Sequence, residues 1–175
     1  MKRKIPSSGE MLPIVGVGTW QTFDVGAAPA ERAPLKEVLL TLLEKGGSVI
    51  DSSPMYGRSE GVVGDLSTEL GINEKLFVAT KVWTNGRQSG IDQMNRSFSL
   101  LRRKTIDLMQ IHNLVDWQTH LATLRSWKAD GKIRYLGITH YTESSYSNIE
   151  QILKTEKLDF LQINYSIVSR KVEER

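Results

Sequence analysis

The chain contains no cysteine, which excludes disulfides, thiolate metal sites and cysteine nucleophiles together. That absence suits a reducing cytoplasm and an oxidising compartment equally, so the cytoplasm is a default location and an upstream export signal stays compatible with the sequence. An excess of either charge is lacking too: 23 Lys and Arg stand against 20 Asp and Glu, for a net +3. The basic residues are scattered and no aromatic-basic groove is visible, so a nucleic-acid partner is not expected. No apolar run reaches the length of a membrane span, and a soluble chain follows as the expectation. The basic opening "MKRKIPSSGEMLPIVGVG" is broken by Pro13, Gly16 and Gly18 and has no small-residue cleavage site, unlike an export signal. What remains is a small molecule or another protein as partner.

With 175 residues, 39% of them hydrophobic and 25% charged, the expectation is one ordinary globular domain over residues 1–175. The opening reads as a hairpin turning at "SSGE". Short apolar runs then alternate with amphipathic stretches. The spacing of Leu35, Val38, Leu39, Leu42 and Leu43 predicts a helix with Pro34 in its first turn and Gly46-Gly47 at its end. A strand "SVIDS" follows, then a helix from Ser59 to a stop at Gly71, a strand "KLFVATKV", and a helix through Met94, Phe98 and Leu101. The pattern repeats with the strand "IDLMQIH", a helix over 117–130, the strand "IRYLGIT", a helix over 144–154 and the strand "LDFLQINY". The closing "SRKVEER" reads as the start of one more helix, with Ser169 as its cap.

Apolar strands alternating with helices imply an α/β fold with a parallel sheet. A doubly wound dinucleotide fold would carry G-x-G-x-x-G after its first strand, but "GVGTWQ" has Gln21 at the third position and "GRSEGVVG" has the wrong spacing. A (β/α) barrel places polar residues at the carboxyl ends of successive strands, around one mouth. Asp51, Lys81 and His112 end three consecutive strands at separations of 30 and 31 residues, and Thr139 with His140, then Gln162 with Asn164, end the next two.

Taken one at a time, such residues are more often caps, surface groups or core fillers. Together at inner strand ends they must pair, because burying an isolated charge is costly. If Asp51 holds Lys81 charged, the ammonium would stabilise a phenolate at Tyr56 and lower its pKa from about 10, making Tyr56 a proton donor and acceptor. His112 in the same mouth could orient a substrate oxygen. Trp20 and Trp83 could wall the pocket or simply pack the core. A proton donor beside a held carbonyl suits carbonyl reduction, with hydride from a cofactor because no side chain carries one. Two other readings stay open: a non-catalytic scaffold with the same rim residues, and a Schiff-base lyase using Lys81.

The runs "GVGTW", "VIDSSPMYGRSEGVVG", "ATKVW", "DLMQIHN", "IRYLGITHY" and "LQINYS" together resemble the aldo-keto reductases in order and spacing over essentially the whole chain. The resemblance implies a TIM-type (β/α)8 barrel closed at the bottom by an N-terminal β-hairpin, and NADPH-dependent reduction of a small aldehyde or ketone. It implies Tyr56 as general acid, Asp51 and Lys81 as the pair tuning it, and His112 as the orienting group. Cofactor contacts are implied at Gly18, Thr19, Asp51, Thr139, His140 and Gln162, and no metal. Where many members have Ser-Asn after the fifth strand, this chain has Thr139-His140. About six of the eight strands are present, so the resemblance implies a C-terminally truncated member, binding NADP(H) weakly or not at all and open to association through its barrel edges.

Overall fold

The computed structural model describes residues 1–175. Strands β1 (Lys2–Lys4) and β2 (Met11–Pro13) pair antiparallel as a hairpin, turning through Ile5 to Glu10 with Gly9 at φ +79°. Six parallel strands follow in one sheet, in chain order: β3 (Gly16–Gly18), β4 (Val49–Asp51), β5 (Phe77–Val82), β6 (Ile106–His112), β7 (Ile133–Thr139) and β8 (Phe160–Gln162). Helices α1 (Pro29–Glu44), α2 (Ser59–Glu69), α3 (Arg87–Leu101), α4 (Trp117–Ala129) and α5 (Tyr146–Thr155) lie between successive strands. Strictly sequential parallel pairing is the topology of a curling (β/α) barrel rather than of a doubly wound sheet, whose strand order reverses.

Every residue of β5 and β6 is buried, because both strand faces are covered. Val78, Val82, Met109, Ile111, Leu136 and Ile138 face the helices and join one core with Leu66, Met94, Leu124 and Ile149. Their neighbours in the alternation face the other way: Phe77, Ala79, Leu108 and Tyr135 form a second cluster with Ile5 of the hairpin, joined by Val49, Leu12 and Phe160. The hairpin is thus the floor of the barrel. Glu10 fastens it, accepting hydrogen bonds from Arg134 and from the Tyr135 hydroxyl at 2.6 Å, while the Ser8 and Tyr135 hydroxyls lie 2.7 Å apart.

Two local expectations are corrected. Helix α1 begins at Pro29, so Pro34 lies inside it rather than in its first turn. Pro29 suits the first position equally well, and Arg32, bonded to the Gly26 carbonyl and to Asp65, anchors the additional turn. The last segment forms only a short 3-10 turn over Lys171–Glu174 preceded by Arg170; Ser169 instead accepts a side-chain bond from Asn164. No helix is long and apolar enough to cross a membrane.

Candidate active site

The sheet register brings the predicted rim residues to one level. Gly18 pairs with Asp51 across β3 and β4, and His112 with Thr139 and Thr139 with Gln162 across β6, β7 and β8. Lys81 is one step inside β5 on the same inner face, opposite Gln110. Period-two alternation carries the series from apolar floor to polar mouth: Phe77, Ala79, Lys81 on β5, and Leu108, Gln110, His112 on β6.

Lys81 is 1% exposed and all three ammonium hydrogens are used, on the two Asp51 carboxylate oxygens at 2.9 Å each and on the Ser52 carbonyl at 2.7 Å. Burial pulls its pKa below the ordinary lysine value, and the adjacent Asp51 carboxylate opposes that pull. The contact expected between these two side chains is present.

Tyr56 sits on the loop after β4, with the Lys81 Nζ 4.9 Å from its ring centroid. The loop is fixed locally: the Tyr56 N–H bonds to the Ser53 carbonyl, and the backbone N–H and Nε of Arg58 both bond to Asp24. Gly57, at φ +60°, leaves room for that aspartate, whose carboxylate would lie 2.4 Å from any added Cβ. The phenol is pushed up to about 12, first by burial and then by the Asp51 charge. This reverses the expected direction. The lysine spends its hydrogens on Asp51 and Ser52, so the neutral phenol, a proton donor, is the resting form.

His112 ends β6 with its ring edge-on to Tyr56 at 6.0 Å between centroids. Burial, then the Lys81 charge, lowers it to about 4, so it is a neutral imidazole at ordinary pH. Its Nδ1 is 3.1 Å from the Ser53 hydroxyl. Trp20 and Trp83 are 61% and 42% exposed and flank Tyr56 and His112 respectively at 6.5 Å. That exposure excludes plain core packing for both side chains.

The remaining predicted residues fall into two groups. Thr19 is fully buried, its hydroxyl 3.1 Å from the Asp51 carbonyl and 2.9 Å from the Ser52 hydroxyl, so it braces the Asp51 strand end. Thr139 is buried at the rim, and Gln162 is open to solvent beside Asp51, its amide 3.4 Å from a carboxylate oxygen. Gly18 has open space where a Cβ would stand. Both ring nitrogens of His140 are engaged locally, Nδ1 by the Tyr141 and Thr142 N–H groups and Nε2 by the Ser145 hydroxyl. It therefore shapes the turn into α5.

Three residues escaped the sequence reading. Gln110 is buried, donates to Gln162 at 2.9 Å and leaves its own Oε1 without a partner; its position two residues before His112 on one strand was the available signal. Glu60, 2% exposed, accepts the Thr80 hydroxyl at 2.5 Å, and burial raises its pKa. Ser53 carries no signal in the sequence at all, because its partner lies 59 residues away.

The aldo/keto reductase family pattern matches residues 14–175, and the chain belongs to that family. It is 30% identical to methylglyoxal reductase YeaE of Escherichia coli over 98% of this chain and 61% of that protein. It is 29% identical to the NADH-specific methylglyoxal reductase of the same organism over 98% and 61%. An aldo-keto reductase from Klebsiella pneumoniae in complex with NADPH superposes with TM-score 0.81 at 22% identity, covering 99% of this chain and 62% of that one. The chain thus spans about three fifths of the length of these relatives, and the shared fold is the (β/α) barrel with its N-terminal hairpin.

Proposed function

We propose that the protein reduces a small aldehyde or ketone to an alcohol with a nicotinamide dinucleotide, NADP(H), as hydride donor. The observation that carries this reading is the buried Lys81–Asp51 pair under the Tyr56 ring, with a neutral His112 ring 6.0 Å away. The donor set fits the nicotinamide end of such a cofactor: Thr139 and Gln162 offer uncharged hydroxyl and amide groups, and the space over Gly18 is open. These residues, with Asp51, would hold it; His140, saturated by its own turn, would act by shaping the loop. When bound, such a cofactor would supply the hydride that the carbonyl carbon takes up.

The chain's own groups do the rest. A neutral imidazole N–H of His112 orients the carbonyl oxygen, and the Tyr56 hydroxyl, protonated at rest, passes its proton to that oxygen as charge develops on it. The Lys81 ammonium lies 4.9 Å from the Tyr56 ring centroid, so negative charge developing on the ring during the transfer meets a cation beside it, without a hydrogen bond from it. Trp20 and Trp83 narrow the mouth and favour a small substrate. The methylglyoxal reductases among the relatives support an α-oxoaldehyde as the first compound to assay. A lyase using Lys81 as nucleophile is disfavoured, since that amine is buried and every hydrogen on it is taken.

The test is consumption of NADPH or NADH with methylglyoxal, followed by absorbance. Tyr56→Phe is expected to lower kcat by about 10²- to 10⁴-fold with little change in cofactor affinity. Equal rates in the two proteins would leave Tyr56 without its role, and no turnover with a range of aldehydes would favour a non-catalytic scaffold.

A further inference from the structure

The Ser53 side chain is entirely buried, and its hydroxyl oxygen has two neighbours. One is His112 Nδ1 at 3.1 Å. The other is the Met55 backbone N–H at 3.4 Å, which can only donate. A hydroxyl has one hydrogen to give, and His112 Nδ1 is the single acceptor within reach of it. In the reverse arrangement, with Nδ1 protonated and donating to Ser53, the serine hydrogen would be sealed in the interior without an acceptor, an outcome buried polar groups avoid. Because a neutral imidazole carries one proton, occupying Nδ1 as an acceptor puts that proton on Nε2.

We propose that Ser53 is a positioning residue that fixes the tautomer of His112, donating to Nδ1 so that Nε2–H is the group offered to a carbonyl oxygen in the mouth. The inference rests on the reading of His112 as the substrate-orienting donor and adds the residue that makes it one. Ser53 touches neither substrate nor cofactor; it acts through the ring. Its place on the chain suits the task, since it stands two residues after Asp51 and three before Tyr56, and its own carbonyl accepts the Tyr56 N–H at 3.0 Å. One serine thus couples the histidine ring and the tyrosine backbone to a single short turn.

The tautomer can be read without turnover. Protein labelled with ¹⁵N-histidine is examined at pH 7 by two-bond ¹H–¹⁵N correlation, with the His112 pattern assigned by its loss in His112→Gln. The native protein is expected to show Nε2 protonated and Nδ1 bare, in excess over the other form by about tenfold or more. Ser53→Ala, a smaller side chain at the same place, is expected to collapse that excess into a mixture. A native pattern with the proton on Nδ1 overturns the proposal, and so does an unchanged pattern in Ser53→Ala. Should Ser53→Ala fail to fold, the native spectrum decides alone. Aldehyde reduction enters neither readout, so absence of activity would count against the proposed function while leaving the tautomer assignment standing.

Discussion

Removing Asp51 should cost the fold dearly, because the structure gives Lys81 no other anionic hydrogen-bond partner. In Asp51→Ala the ammonium, 1% exposed in the intact protein, keeps only the Ser52 carbonyl of its three acceptors. Breaking a buried pair by deleting one partner costs roughly 3–5 kcal/mol. The Asp51 side chain is 21% exposed, so water entering where the carboxylate stood softens the loss, and Glu60 still contributes some attraction. The expectation is therefore the low end, about 3 kcal/mol, or a fall in Tm of about 6–12 °C for a chain of this size. Urea unfolding at pH 7 measures it. Adding Lys81→Met in the same background should return most of the loss, since the stranded charge is then gone. The variant should also regain stability as the pH rises. Burial holds the folded-state pKa of Lys81 below 10.5, so the unfolded chain binds more protons in that window and alkali favours the fold. A loss below about 1 kcal/mol, or a further loss on adding Lys81→Met, would refute the reasoning.

Two further outcomes follow from the same geometry. His112 titrates at about 4 when folded against 6.5 for the ordinary group, so between those values the unfolded chain takes up the extra proton. Stability should be full above pH 6.5 and fall by on the order of 3 kcal/mol as the pH drops towards 4; unfolding curves at several pH values should show His112→Gln lacking that part of the slope. Gly64→Ala would place a Cβ 2.0 Å from the Leu100 carbonyl oxygen where α2 crosses the end of α3, whereas at Gly61 the nearest atom is a Leu100 methyl at 3.5 Å. Thermal unfolding should show about 1–3 kcal/mol lost at Gly64 and little change at Gly61; equal losses would contradict the packing.

The barrel strands were legible because strands buried on both faces read as continuous apolar runs: "IDLMQIH" and "IRYLGIT" coincide with β6 and β7 to the residue. The rim was legible for a related reason, since a charge ending such a run has nowhere to point but the mouth, and Asp51 and Lys81 do meet. What sequence could not carry was direction and partnership. Nothing in the letters shows that Lys81 turns its hydrogens to Asp51 and the Ser52 carbonyl instead of the phenol, which is why the Tyr56 shift came out reversed. Nor do they show that the ring of His140 is consumed by its own turn, or that Pro29 and Pro34 can share one helix. Ser53 and Gln110 went unread because a neutral polar residue gains meaning only from the atom it faces.

The hairpin floor has a consequence for how the chain comes together in time. Its fastening contacts join residues 124, 125 and 127 positions apart, among the longest spans in the chain. A ribosome delivering the sequence from its N-terminus releases Ile5 and Glu10 more than a hundred residues before Arg134 and Tyr135 exist. Until then the first strand pair has no floor to form, and a two-stranded hairpin alone is marginal in water. A hairpin made before any of the six parallel strands thus waits for β7 before it can be fastened.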